Sequence, residues 1–268
     1  MENSSKAILL TGVSGGIGFE IAKKYINEGY QVIGLDINEP KEKLDNLIYI
    51  KTDITKEKEV ISAYNSLQNS NISFKCIISA AGIYNLNSLI EMSEEEFIRI
   101  FDINVFALYR INKIFLPMLE KGGKIFMISS ELAPLDPLPF TGIYGISKTL
   151  VEKYAYSLRM ELQLLGYKVI VIRPGAIDTG LLNVSQNKLD KFVNQTEHYK
   201  TNSKRFKKIV DSVESKKIPP SKIAKLIYKV SNKKRPRYLY KINRNKLLIL
   251  LSYLPQRLQN YIIRKILQ

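Results

Sequence analysis

The sequence is poor in the side chains that most often carry chemistry near neutral pH. It holds one histidine, His198, and one cysteine, Cys76, in 268 residues. A single cysteine excludes an intrachain disulfide and any cysteine-rich metal site. Its place in the apolar run "CIIS" reads as a packed core thiol. His198 lies in a basic stretch away from every motif, so it reads as a solvent-facing or lid residue and not as a catalytic base. No charged region followed by a sufficient apolar stretch opens the chain, so no signal peptide is expected and a reducing, cytoplasmic setting follows. No apolar run approaches the ~20 residues of a membrane span. Neither an internal repeat nor a low-complexity linker is visible.

Acidic residues are scarce in one region only. Residues 181–268 hold 22 Lys/Arg against 4 Asp/Glu, a net of +18, whereas residues 1–180 hold 19 against 21, a net of −2. The first two thirds read as a near-neutral soluble domain, and the last third carries the basicity. A solvated lysine-rich surface, an anionic membrane surface reached from the cytoplasmic side, and an acidic partner all fit that third. Nucleic acid is not expected, because no nucleic-acid-binding motif accompanies the charge.

Short β-branched runs alternate with helical periodicity. Residues 6–11, 30–36, 47–53, 75–80, 123–130 and 167–174 read as strands, and their continuous apolar character suits strands buried on both faces of a parallel sheet. Between them lie helical stretches such as "GGIGFEIAKKYINEG", with Ile17, Ile21, Tyr25 and Ile26 on one face and Gly29 at its end. The alternation predicts an α/β doubly wound domain over residues 1–240. The basic segment 181–220 breaks the rhythm after the sixth strand, where a substrate lid would sit, and 241–268 reads as a C-terminal extension.

Three motifs carry chemistry. "TGVSGGIG" (11–18) follows the first strand; Gly12, Gly16 and Gly18 allow a tight turn and close approach of a pyrophosphate to a helix N-terminus. Its spacing is G-x-x-x-G-x-G, a variant of the usual dinucleotide fingerprint. Asp36 closes the second strand, where a carboxylate accepts from both ribose hydroxyls of an adenosine and repels a 2′-phosphate. Neither Gly15 nor Ile37 offers the basic side chain that NADP would want, so NAD is favoured. Finally, Tyr144 and Lys148 stand at i and i+4 on one predicted helix, downstream of Ser129 and Ser130. A nearby ammonium, like a cationic nicotinamide, stabilises a phenolate. Moving the phenol from about 10 toward 7 takes about 4 kcal/mol of differential interaction. The expected result is an acid/base without histidine.

With "TDI" (52–54), "AAG" (80–82), the asparagine of "FDINVF" (101–106) and "RPGAIDT" (173–179), these motifs resemble, in order and spacing, the short-chain dehydrogenases/reductases over about residues 5–180. The resemblance implies a Rossmann-type doubly wound three-layer sandwich with a mostly seven-stranded parallel sheet, a helical lid and a C-terminal extension. It also implies an oxidoreductase moving hydride between NAD(P) and an alcohol or carbonyl carbon, without a metal, and a homo-oligomer (dimer or tetramer). Carried over, Tyr144 is the general acid/base, and Lys148 lowers its pKa and holds the nicotinamide ribose. Ser130 bonds the substrate oxygen, with Ser129 as the alternative, and Asn104 anchors a relay water. Gly12, Ser14, Gly15, Gly16, Ile17 and Gly18 form the pyrophosphate turn, with Asp36 on the ribose. Asp53 and Ile54 are adenine contacts, Ala80, Ala81 and Gly82 line the cofactor, and Pro174, Gly175, Ile177 and Thr179 face the nicotinamide. Two departures stand out. The family's "NNAG" is "SAAG" here, replacing bracing asparagines by Ser79 and Ala80. The loop from Ser130 to Tyr144 is one residue longer than usual, which puts Glu131 thirteen positions before the tyrosine.

Leu135, Leu138, Phe140, Leu181 and Leu182 flank the expected site, so the alcohol or ketone is expected to be apolar, of steroid, retinoid or lipid type. Pro255 opens a last helix with Leu258, Tyr261, Ile262 and Ile266 on one face and Arg257, Arg264 and Lys265 elsewhere. That pattern fits either a helix packed on the body or a monotopic anchor lying in a headgroup layer. The alternative for the whole chain is a non-catalytic NAD sensor or scaffold. The complete Asn–Ser–Tyr–Lys set argues against it, since a sensor needs no proton relay.

Overall fold

The computed structural model describes residues 6–136, 138–214 and 216–268, and the side chains of 181–185 and 213–214 lie outside that description. Seven parallel strands form one sheet in the order β3-β2-β1-β4-β5-β6-β7. They are β1 (Lys6–Thr11), β2 (Gln31–Asp36), β3 (Leu47–Lys51), β4 (Ser73–Ser79), β5 (Leu119–Ile128), β6 (Lys168–Pro174) and β7 (Leu239–Ile242). The apolar runs explain why the central strands are covered twice. In β1 the side chains alternate faces, so Ala7 and Leu9 join one core layer while Ile8 and Leu10 join the other.

The first layer packs under α2 (Glu57–Gln68), α4 (Ala107–Phe115) and α5 (Gly142–Leu162), with Val60, Ile111, Phe115 and Val151 at its centre. The second lies under α1 (Gly16–Ile26) and α8 (Ser221–Ser231), through Ile21, Tyr25, Ile223 and Ile227. Cys76 is buried in this second layer, as its setting suggested, and burial pushes its thiol up to about 12. Helix α3 (Glu94–Phe101) runs through a five-residue π-helical turn, Asp102–Phe106, into α4. The three-layer α/β sandwich is therefore as the motifs implied.

Several boundaries differ from the sequence pattern. The fifth strand starts earlier and stops at Ile128, so Ser129 and Ser130 sit in the turn beyond it, at the carboxyl edge of the sheet. The seventh strand, paired with β6 from Val171↔Leu239 to Pro174↔Ile242, has no apolar run because it is a short, half-exposed edge. It carries the sheet into the segment 241–268. The segment 181–220 is more ordered than its composition suggested: α6 (Gly180–Gln195) and α7 (Lys200–Glu214) each bury a narrow stripe, Leu189 with Phe192 and Phe206 with Val210. These stripes close a third small core with Leu86, Phe140 and Leu267. Two further helices end the chain, α9 (Lys246–Ser252) and α10 (Gln256–Leu267). Among the described residues no helix is long and apolar enough to cross a membrane.

Candidate active site

The order β2-β1-β4 reverses direction of winding at β1, and the crevice at that switch point is where open α/β sheets take ligands. The glycine turn fills it. Gly12 adopts φ +74°, and a Cβ on Gly18 would lie 1.9 Å from the Gly12 carbonyl oxygen, so both positions exclude a side chain. Gly15 caps α1 without any side-chain hydrogen bond, and Gly15 and Gly16 are exposed. Free N–H groups at an uncapped helix N-terminus favour an anion. Ile17 packs against the second core layer, and Thr179 closes over Gly16 from the opposite side, 3.0 Å from where a Cβ would stand.

Asp36 faces this turn: its carboxylate accepts from Ser14 N (3.0 Å) and Asn38 N (3.1 Å). The Ser14 hydroxyl in turn donates to the Asn38 carbonyl. Asp53 lies just beyond β3. Burial alone would raise its carboxyl, but hydrogen bonds from Thr55 and the Lys56 ammonium outweigh it and hold it below the usual range. Ile54 points into the first core layer. The "SAAG" segment is held by β1: Ala80 N donates to Thr11 O (3.2 Å) and Ala81 N to Thr11 Oγ1 (3.4 Å). The Ser79 hydroxyl is buried without a hydrogen-bond partner, a loose end left where the family pattern has an asparagine. These features fit a dinucleotide: a side-chain-free cradle, an uncapped helix N-terminus and a carboxylate at the end of β2.

The reactive end lies across the sheet edge. Asn104 sits in the π-helical turn, a helix irregularity common at functional sites. It is buried, accepts from Ile83 N (2.8 Å), and donates to Ile83 O (3.0 Å) and Ser147 Oγ (3.1 Å). A Cβ on Gly82 would fall 3.2 Å from Asn104 Oδ1 and 3.5 Å from Lys148 Nζ, so a side chain there would crowd both polar groups. Tyr144 and Lys148 share a face of α5. The Lys148 ammonium is buried, donates to Ile128 O (3.0 Å) and stands 5.7 Å from the centre of the Tyr144 ring.

One expectation fails here. Tyr144 is pushed up to about 12, chiefly by burial and against a hydrogen bond with Ser130, and the Glu131 carboxylate adds to the rise. Lys148 is pulled down to about 8 by burial. In the free protein the ammonium does not make the phenol acidic, because both groups lose more to desolvation than they gain from each other.

The two serines point to different places. Ser130 meets the Tyr144 phenol and accepts from Leu132 N (3.2 Å). Ser129 turns inward and donates to Glu152 Oε1 (2.7 Å). Glu131 is buried, and its carboxylate accepts from Asn245 N (2.6 Å). Burial raises its pKa against that bond and the nearby Arg244. Pro174 ends β6. Gly175 has no room for a side chain, since its Cβ would fall 1.8 Å from Asn243 O. Ile177 is buried and bridges to Ile218.

Sequence reasoning overlooked several contributors. Arg173 forms a two-pronged ion pair with Glu152, pinning α5 to β6 beneath the Tyr–Lys face. Asn243, at φ +55°, donates to Ala176 O (2.8 Å) and Lys216 O (3.0 Å) and fixes the loop that follows β6. The Tyr84 ring packs edge-on to Tyr144, centroids 4.6 Å apart. None belongs to a local pattern, so only Arg173, inside "RPG", carried any signal. Phe140 is buried in the third core, and Leu135 and Leu138 are half-buried, while the side chains of Leu181 and Leu182 lie outside the described residues. His198 lies between α6 and α7, where its backbone N–H, with Glu197 N and Thr196 Oγ1, donates to Glu91. A cleft of about 670 Å³ opens beside it, with polar walls such as Asn85, Glu96 and Lys191 that include neither Tyr144 nor Ser130.

Comparison with known proteins agrees with this layout. The family model described as short chain dehydrogenase matches residues 6–190. An uncharacterized oxidoreductase of Saccharomyces cerevisiae, YDL114W, is 30% identical over 186 residues, 65% of this chain and 60% of the yeast protein. A 3-ketodihydrosphingosine reductase of Bacteroides thetaiotaomicron is 28% identical over 206 residues, 76% of this chain and 75% of its own. A short chain dehydrogenase family protein of Francisella tularensis superposes with a TM-score of 0.73 at 24% identity, over 89% of this chain and 97% of that one.

Proposed function

Because this chain belongs to the short-chain dehydrogenase/reductase family, we propose that it moves hydride between NAD(H) and a secondary alcohol or ketone of apolar, lipid-like character. The observation that carries the reading is the convergence of the Ser130 hydroxyl on the Tyr144 phenol, with Lys148 one helical turn on along α5 and Asn104 across Gly82. An alcohol or carbonyl oxygen placed between Ser130 and Tyr144 receives a donor from each. In reduction Tyr144 gives its phenolic proton to the oxygen that becomes the alcohol; in oxidation it takes that proton back. With the phenol held near 12 and Lys148 still charged at neutral pH, the free protein stands ready as the acid. The bound nicotinamide supplies the hydride source or sink and, when oxidised, a positive charge beside the phenol. Lys148 Nζ and Asn104 Oδ1 both approach Gly82 and are the polar groups placed to relay a proton away from Tyr144.

Asp36 supports NAD over NADP, since its carboxylate faces the glycine turn where a 2′-phosphate would be repelled. The half-buried Leu135 and Leu138, in the loop between Ser130 and Tyr144, support an apolar substrate, as does the similarity to a protein named for reducing a sphingoid ketone. The exposed apolar side chains of α4 and α5, among them Tyr109, Leu150 and Met160, support self-association through those helices. The basic third supports an anionic surface as a further partner. A non-catalytic dinucleotide sensor would leave the Ser–Tyr–Lys array without a use.

The test is NADH fluorescence with a panel of long-chain alcohols and ketones, retinol, hydroxysteroids and sugars, on wild type and Tyr144→Phe. Turnover of an apolar member, abolished in the variant while dinucleotide binding persists, is expected. Substantial turnover by Tyr144→Phe, or dinucleotide binding without turnover of any compound, would overturn the reading.

A further inference from the structure

Helix α9 is built from "KLLILLS", yet none of its residues is buried. Leu247 is 72% exposed, Leu250 62% and the following Tyr253 81%. Helix α10 docks on the third core through Ile263 and Leu267, ties its end to α7 through Asn202 Nδ2 and Leu267 O (2.8 Å), and buries Gln259 between. Its other side therefore faces outward, with Leu258, Tyr261 and Ile266 all exposed. An apolar helix with no fully buried side chain, next to a helix whose apolar sector faces solvent, is an interaction surface waiting for a cover.

Charge decides between covers. Residues 215–268 contain 15 Lys/Arg and no Asp or Glu. Lys246, Arg257, Arg264 and Lys265 border the exposed apolar side chains and are themselves exposed. A second copy of the chain would meet this patch isologously, cation against cation, which is repulsive. An anionic bilayer takes the apolar side chains into the headgroup boundary and the cations at its surface, with their long stems able to reach lipid phosphates.

We propose that α9 and α10 form a monotopic docking surface for an anionic lipid bilayer, laid beside the mouth of the active site. The position follows from two connections. Asn245, the N-cap of α9, is bonded through its own N–H to Glu131, the residue after Ser130. Leu267 of α10 shares its core with Leu86 and Phe140, and Tyr84, whose ring packs edge-on to Tyr144, lies against that same core. A docked molecule thus presents its site to the membrane, and an apolar substrate enters from lipid without crossing water. That consequence rests on the apolar-substrate reading; the docking itself does not.

The test uses the full-length protein without substrate, sedimented with vesicles of phosphatidylcholine alone or mixed with phosphatidylglycerol. Binding to the mixed vesicles only, weakened by salt, is expected. The variant Leu250→Ser/Tyr253→Ser/Tyr261→Ser, all at exposed positions, should lose it while unfolding at the wild-type temperature. Neutralising Arg257 and Lys265 should weaken it about fivefold each. No binding to mixed vesicles, equal binding by the triple serine variant, or a wild-type dimer that the variant converts to monomer in the absence of vesicles would each overturn the proposal. Turnover of a short, water-soluble ketone without vesicles reports on the proposed reaction separately, so the two can fail independently.

Discussion

Replacing Lys148 by methionine should make the protein more stable and less active, and the size of the gain can be worked out. Burial draws the ammonium from its usual 10.5 down to about 8. That displacement of roughly 2.5 units, at 1.36 kcal/mol each, makes the charged lysine cost about 3 kcal/mol at pH 7. Methionine has nearly the same reach and no charge, but forfeits the bond from Lys148 Nζ to Ile128 O, about 1 kcal/mol. The net expectation is a gain of about 2 kcal/mol, or roughly 4–8 °C in unfolding temperature. The sign reverses with pH. Between the folded pKa near 8 and the unfolded value near 10.5 the unfolded chain binds more protons, so the wild type gains stability as pH rises through that window. The methionine variant lacks this gain and should end about 1 kcal/mol below wild type at the top of it. Urea unfolding of both proteins at pH 7 and above pH 10 measures the two ends. A variant less stable at pH 7, or a difference that does not change with pH, would refute the burial argument. Turnover should fall together with affinity for the dinucleotide.

Three other substitutions probe separate parts of the site. Asp36→Ala should raise the Michaelis constant for NAD and narrow its advantage over NADP; a wild-type enzyme that already prefers NADP would contradict the role of Asp36. Ser130→Ala should lower turnover about 10²–10³-fold, as loss of one donor to the reacting oxygen does. Ser129→Ala should keep turnover and instead cost about 1 kcal/mol in urea unfolding, because it strips a donor from the half-buried Glu152. The opposite pattern would exchange the two serines.

The Tyr144–Lys148 pair shows where a motif and its environment part company. Spacing alone brings an ammonium to a phenol and suggests that each eases the ionisation of the other. In the folded chain the lysine points to a backbone carbonyl, and burial moves the two groups toward their neutral forms. Helical spacing by itself therefore does not make the phenol acidic.

The C-terminal helix shows the same limit in a different form. Its period was legible, and α10 begins one residue after Pro255. Which of its faces is covered was not. Leu258, Tyr261 and Ile266 form the more apolar stripe, yet it is Gln259, Ile263 and Leu267 that meet the body. The edge strand β7 escaped notice for a related reason, since a half-covered strand needs no apolar run.

The sequence by itself determined what depends on near neighbours in the chain: the strand–glycine–helix cradle, the carboxylate closing β2, and the i, i+4 placement of Tyr144 and Lys148 on one helix face. Tertiary structure alone decided which serine faces the phenol, how far burial shifts the pair, and that Glu152, Arg173 and Asn243 brace the site. It also decided which face of the last helix remains open. Backbone geometry follows local periodicity, whereas desolvation and side-chain partners are set by residues tens to more than a hundred positions away that only packing brings together.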